Sequence, residues 1–295
     1  MWIPITLLAA VFQIVRTAQQ HRIRSVLPIN AAGFVRYVYG APFAIVALTA
    51  TAAAHGWTLP QPDAGFWLKV AGAGVMQIIG TLALLRSFDL RDFAIGTVYS
   101  KTEVVTVGVV STVFIGEALS AAAWAGIVLC LLGVAWLAAP GRLSEVATDI
   151  ADPAAWYGVA AGASFAVTSV AMRSASLSLD GSTWVRALVT LTAMLCIQTA
   201  VNAAHLALTD RAGLVEVFRQ WRPATLVGLL SVGGSASWAV AFTLTNAAKV
   251  RTLGQVELLI VFAVSAFWLK ERHTRAEYLA STLVILGVAI VVVFG

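Results

Sequence analysis

Charge is scarce in this sequence. Only 11% of its 295 residues are Asp, Glu, Lys or Arg, against roughly a quarter in soluble domains, while 60% are hydrophobic and the mean hydropathy is +0.88. That excludes a water-soluble globular domain and leaves a chain with almost nothing outside a bilayer. Cysteine is nearly absent, and both Cys130 and Cys196 fall inside apolar runs, which argues against a disulfide framework or a zinc site. The histidines His21, His55, His205 and His273 are scattered over loops and span ends, so no metal cluster is expected. There is no HExxH, no GxSxG and no phosphate-binding loop of the GxxxxGK type, so the chain is read as not an enzyme. The first apolar run has no basic segment ahead of it and is interrupted by Gln13 and Arg16. It lacks the charged start of a cleavable signal peptide and is expected to be an uncleaved first helix. The formal net charge of +5 informs topology rather than nucleic-acid binding in so apolar a chain, and no nucleic-acid partner is expected.

What the sequence does have is an internal repeat. The stretch Phe93 to Leu137, moved forward 154 positions without a gap, falls on Ala247 to Val291 with 12 of 45 positions identical. Glu103 meets Glu257, Ser111 meets Ser265, Glu117 meets Glu271, and Leu132, Gly133, Val134 and Ala135 meet Leu286, Gly287, Val288 and Ala289. Beyond that stretch, Trp2 matches Trp156, Trp67 matches Trp221, Gly74 matches Gly228, Gly80 matches Gly234 and Phe88 matches Phe242 at the same offset. Only the second spans need a shift, Phe34, Val35 and Arg36 meeting Trp184, Val185 and Arg186 at an offset of 150. A repeat in an apolar chain points to a transporter built from two copies of one unit, with its site between them.

Hydropathy gives ten spans, near 2–19, 31–53, 66–86, 93–115, 119–138, 155–173, 182–205, 223–246, 251–269 and 275–294, each about 20 residues long. The fold class is thus an all-α membrane protein, two five-helix repeats at 1–138 and 154–295 joined by a polar linker at 139–153 that carries Pro140, Glu145, Asp149 and Pro153. Copies with an odd number of spans must be inverted relative to one another. Loop charge follows that rule. Basic residues crowd the loops after spans 1 (Arg22, Arg24) and 3 (Arg86, Arg91) in one half, and after spans 7 (Arg211, Arg219, Arg222) and 9 (Lys270, Arg272, Arg275) in the other, with fewer after spans 6 (Arg173) and 8 (Lys249, Arg251). The positive-inside rule then puts both termini outside the cytoplasm. Local signals fit: Thr274 and Glu277 form a capping box at the start of span 10. Leu214, Val215, Phe218 and Trp221 form the apolar face of a short interfacial helix after Asp210. Gly158 with Gly162, and Ala122 with Gly126, are small-residue pairs suited to tight helix contacts.

A charge at mid-bilayer costs about 2.5–3.5 kcal/mol on insertion scales and needs a partner or a solvated cavity. Glu103 and Glu257 lie well inside spans 4 and 9. They either bind a cation, a proton or a substrate amine, or pin their helices to neighbours. Lys101 is two residues from Glu103, on another face of a helix, and either meets a substrate carboxylate or neutralises a glutamate of another helix; its counterpart Gln255 is neutral. Arg36 and Arg186 sit just inside spans 2 and 7, where snorkelling competes with a cavity role. Glu117 and Glu271 close spans 4 and 9 at tight turns. Tyr99 precedes Glu103 by one turn, Gln77 is central in span 3, and Trp238 is central in span 8 while most of the other tryptophans mark span ends. Trp238 is either packing or one wall of a cage for an amine.

The inverted five-span units, the arginine after an aromatic in spans 2 and 7 (Phe34, Val35, Arg36; Trp184, Val185, Arg186), and the order of mid-span glutamate, closing glutamate and final Leu-Gly-Val in each half resemble the EamA-like families of the drug/metabolite transporter superfamily. Two departures stand out. The proline frequent after the mid-span glutamate is Val104 and Leu258 here, and the basic tails common in members are not found. The resemblance implies a ten-helix basket around a central cavity, alternating access, no cofactor and cytoplasmic termini, the last in conflict with the loop charges. It further implies a secondary transporter, an exporter of a small-molecule substrate such as an amino acid or amine, driven by the solute gradient or by protons. Uptake or exchange of an organic cation is the alternative, and a membrane-embedded enzyme or lipid-handling protein the alternative from another class. The expected setting is the lipid bilayer of a cell membrane, a bacterial inner membrane, as monomer or homodimer.

Overall fold

The computed structural model describes residues 1–23, 26–90, 93–139, 152–264 and 274–295. The linker from Pro140 to Ala151, together with Arg24, Arg91, Ser265, Lys270, Glu271, Arg272 and His273, lies outside the described residues, as do the side chains of His21 and Arg22. All regular structure among the described residues is helical. Lipid offers no hydrogen bonds to the backbone, and a helix satisfies its own. In order the helices are α1 (Trp2–Ile23), α2 (Ile29–Val38), α3 (Gly40–Ala54), α4 (Ala64–Leu90), α5 (Phe93–Ser100), α6 (Glu103–Ile115), α7 (Ala121–Ala138), α8 (Pro153–Leu177), α9 (Thr183–Thr209), α10 (Arg211–Arg219), α11 (Trp221–Leu244), α12 (Ala247–Gly254), α13 (Val256–Ala263) and α14 (Arg275–Phe294). Eight segments among them are long and apolar enough to cross a membrane, and Trp2–Arg16 is a shorter apolar helix.

Two of the spans read as single from hydropathy are broken at the same place in the repeat. Lys101 and Thr102 separate α5 from α6, and Gln255 separates α12 from α13. At the first break Lys101 N donates to Val98 O and Val104 N to Lys101 O; at the second Gln255 N donates to Thr252 O and Leu258 N to Gln255 O, all at 3.1 Å. Each pair is the other shifted by 154, and the three-residue spacing tightens the helix locally. Neither break contains proline. Side chains that bond back to the preceding turn bend the backbone instead: Thr102 Oγ1 to Tyr99 O at 2.7 Å in span 4, and Thr252 Oγ1 to Ala248 O at 2.8 Å in span 9.

Two compact units result, and neither coincides with a sequence repeat. One comprises Met1–Ile78 and Ala171–Leu244, the other Ile79–Val170 and Thr245–Gly295. Each therefore draws helices from both halves of the chain. In the first unit α1 packs on α11, and α9 on α2, α3 and α11. Phe34, Val35, Leu206, Val217 and Val227 share one buried apolar cluster there. In the second, α7 packs along α14, and α12 against α6 and α14. The interiors are built largely of small residues, such as Ala31, Ala44, Ala123, Ala161 and Ala280, whereas Leu68, Val113, Phe114 and Val293 point outward with 68–76% exposure. Lipid is as apolar as leucine, so association depends on close backbone approach rather than on hiding large side chains. The α7–α14 crossing shows how close: a β-carbon on Gly287 would sit 2.5 Å from Cys130 N, and one on Gly133 2.8 Å from Ala280 O.

The short helix α10, capped by Asp210 accepting from Gly213 N at 2.8 Å, turns Gly213 and Val217 inward, while Val215 and Phe218, followed by Trp221 at the start of α11, face out. Two local expectations change on inspection of the packing. Ala122 is exposed, and Gly126 makes its contact with Gly287 and Val291 without it. Arg251, read as a loop charge, lies inside α12.

Candidate functional site

Glu103 opens α6, and Glu257 sits in the first turn of α13. Both carboxylates therefore lie at the start of a half-helix, where unsatisfied amide groups favour negative charge. Within the second unit each pairs with a cation from the other sequence half. Lys101, on the first break, pairs with Glu257 through Nζ and Oε1. Arg251, one turn before the second break, brings Nε to 2.9 Å from Glu103 Oε1. All four side chains are largely buried, at 9–14% exposure. The Arg251 Nε–H points at Ser169 Oγ, 2.8 Å away. The Nε contact with Glu103 is thus one of charge, while the Nε–H bonds the serine.

One face of α8 holds this arrangement in place. Gly158 lies against Tyr99, where a β-carbon would come within 2.4 Å of the tyrosine Cβ. One turn on, a β-carbon on Gly162 would be 2.7 Å from Ser100 O and 2.9 Å from Glu103 N. Two turns further along the same face is Ser169. The small-residue pair seen in the sequence thus seats the helix break itself, and Tyr99, 6% exposed, is part of that packing. Gln255, 4% exposed, bonds back through Nε2 to Arg251 O at 3.1 Å.

The remaining sequence candidates belong to the first unit. Gln77 accepts from Gln198 Nε2 at 2.7 Å, and the same amide nitrogen reaches Gly74 O at 3.2 Å. Trp238, 8% exposed, donates its indole N–H to Gln13 Oε1 at 3.3 Å and stacks on Phe242 with centroids 5.9 Å apart. Arg36, 9% exposed, lies over the Tyr37 ring at 5.2 Å. Arg186 is half-buried on α9, its Nε enclosed.

Arg251, Ser169 and Gln198 were not among the residues singled out from the sequence. A search for every charge within one turn of a hydropathy boundary would have found Arg251. Nothing local marks Ser169 or Gln198.

The contacts are reciprocal across the repeat, span for span. Gly80 of span 3 meets Phe165 of span 6, and its counterpart Gly234 of span 8 meets Phe12 of span 1. Gly74 meets Met194 and Gln198 of span 7, and its counterpart Gly228 meets Tyr39 of span 2. Gly133 and Gly287 each face the other's helix.

Comparison with known proteins gives a consistent result. No curated protein matches the chain. Among solved structures, one crystal structure of a protein superposes with a TM-score of 0.69, covering 99% of this chain and 96% of that one at 16% identity, which establishes likeness of fold alone. The profile of the EamA-like transporter family matches twice, over residues 1–139 and 152–293. Members are membrane transporters of the drug/metabolite type, generally without enzymatic activity. With both halves matched and eight apolar spans, this multi-pass membrane chain belongs to the EamA-like transporter family.

Proposed function

We propose that the protein is a secondary transporter that exports a small metabolite, an amino acid or amine, by alternating access. Ten spans in two inverted five-helix repeats, 1–138 and 154–295, carry the cycle, with 139–153 as the connector. Reciprocal contacts support this topology. When one span of the first copy meets a second span of the other copy, and their counterparts meet in turn, the copies are related by a two-fold axis. With an odd number of spans per copy, an axis in the membrane plane is the one that threads both correctly.

The observation that carries the function is the exchanged pairing at the two helix breaks, Lys101 with Glu257 and Arg251 with Glu103. Four buried charges that sum to zero are stable only while paired. A solute bearing its own ammonium or carboxylate can replace one member of a pair. Each replacement also frees a break, so binding and helix movement are linked. In this reading Glu103, Glu257, Lys101 and Gln255 face the solute and Tyr99 lines the approach. Gln77, Trp238, Arg36 and Arg186 hold the helices that move. The driving force is the solute gradient or protons, the setting a cell membrane, a bacterial inner membrane, and the working form a monomer or homodimer.

Flux of labelled amino acids and amines from liposomes, with and without a pH gradient, tests the reading. The expected result is saturable flux that falls at least tenfold in Glu103→Gln and Glu257→Gln, the scale of one lost charge-assisted contact. Electrogenic uptake of a permanent cation would favour the organic-cation alternative. Flux indistinguishable from empty vesicles for every solute would leave the enzyme or lipid-handling reading. Both variants transporting at the wild-type rate would remove the glutamates from the mechanism.

A further inference from the structure

The repeat makes the pairing of Glu103 incomplete in a specific way. Applied to the Lys101–Glu257 pair, the offset of 154 sets Gln255 opposite Glu103, because Gln255 is the counterpart of Lys101 and Glu257 that of Glu103. On one side of the exchange an ε-ammonium rests on a carboxylate. On the other the residue that corresponds to that lysine is an amide. Two acceptor oxygens are left there, Glu103 Oε1 and Gln255 Oε1, both buried and with no hydrogen-bond donor among the described residues. Glu103 and Gln255 are themselves 7% and 4% exposed. Arg251 supplies charge to Glu103 at 2.9 Å but directs its Nε–H to Ser169. A buried carboxylate oxygen without a donor is costly, and a donor arriving there is correspondingly favoured.

We infer that Glu103 and Gln255 form a site for a primary ammonium group, which takes on Glu103 the position that the Lys101 ammonium takes on Glu257. The group must carry N–H donors, because both of these buried acceptor oxygens are without one. A quaternary amine offers charge and no donor, and does not fit. The chain thus carries a tethered version of its own ligand on Glu257, and on Glu103 the repeat leaves the corresponding place to an amide. This deepens the proposed function by naming the group the solute presents, and it rests on that reading only for the claim that the bound amine is then carried across.

The experiment is thermal stabilisation of the purified full-length protein in detergent by ethylammonium chloride, against tetramethylammonium chloride and sodium chloride at matched ionic strength. The wild-type protein is expected to be stabilised by ethylammonium alone. Gln255→Lys places a built-in ammonium in the site. It is expected to fold and to raise the apparent Kd for ethylammonium about tenfold or more, the scale of one charge-assisted contact. Glu103→Gln, which removes the acceptor charge without adding bulk, should lose the same response and keeps the test open if Gln255→Lys does not fold. Equal stabilisation by ethylammonium and tetramethylammonium, no stabilisation of the wild type, or an undiminished response in either variant overturns the inference. Liposome flux measured on the same preparations separates the two claims. Flux without ammonium-specific stabilisation sinks this site and leaves the transporter, while stabilisation without flux does the reverse.

Discussion

Arg251 and Glu103 lie 2.9 Å apart although they come from opposite halves of the chain, and the repeat does not supply this pairing. Arg251 corresponds to Thr97, and Glu103 to Glu257, which takes Lys101 instead. The two acids are therefore repeated and the two bases are not. Duplication would leave two buried carboxylates, and each was neutralised from a different position, one on a break and one a turn ahead of a break.

Removing Arg251 tests that neutralisation. Arg251→Gln takes from the buried Glu103 carboxylate its ion-pair partner, which costs about 3–5 kcal/mol for pairs of this kind. The expected result is a clear drop in the thermal midpoint in detergent, with most of it recovered in the double variant Glu103→Gln, Arg251→Gln. Additive losses in the double variant would show that the contact does not couple the two residues.

Much of the fold could be read in advance, and the reasons are physical. Spans about 20 residues long announce themselves because a bilayer demands that length, and Thr274 with Glu277 marks the last one by chemistry that is local. The mid-span glutamates stand out because charge is expensive there. The pairing was hidden because it is tertiary: Lys101 is two residues from Glu103 but pairs with Glu257, 156 residues away. Arg251 was obscured for another reason. A hydropathy boundary is drawn at a charged residue, so the charge that begins a span is taken for loop. Inside and outside were also hard to separate. On α10, Val217 turns inward and Phe218 outward, and since lipid accepts either, apolar periodicity does not distinguish them.

Charge reversal addresses the second pair. Lys101→Glu or Glu257→Lys alone sets like charges against each other in a buried site, and each is expected to fold poorly and yield little monodisperse protein. The exchange Lys101→Glu with Glu257→Lys restores opposite charges at one contact and should recover a substantial part of the yield and thermal midpoint. A double variant no better than the singles would mean that orientation at the half-helix starts, rather than charge sum, governs the pair.

The glycines of the α7–α14 crossing should be sensitive to a single methyl group. Gly287→Ala would bring a β-carbon to 2.5 Å from Cys130 N and 2.6 Å from Gly126 O, so the helices must separate, at a cost of about 1–3 kcal/mol. Gly72→Ala, on α4 with nothing within 4 Å, is the control. It is expected to be neutral or stabilising by up to about 1 kcal/mol through helix propensity. Equal thermal midpoints for the two variants would remove close backbone approach as the basis of this contact.

The breaks make the last prediction. Val104 and Leu258 directly follow the two paired glutamates Glu103 and Glu257, and their amides donate to Lys101 O and Gln255 O. Both residues lie in the first turn after a break, where a helix amide has no partner four residues back and proline is tolerated. Val104→Pro removes one three-residue hydrogen bond and fixes a backbone angle that the half-helix already adopts. Its expected cost is about 1 kcal/mol or less. Val107→Pro, three residues further into α6, removes a regular helix bond and clashes with the preceding turn, at about 3 kcal/mol or more. Thermal midpoints of the two variants read the difference directly. Should Val104→Pro be as damaging as Val107→Pro, the chain at Lys101 and Thr102 would be a continuous helix under strain, and the exchanged ion pairs would be bracing it rather than being seated by it.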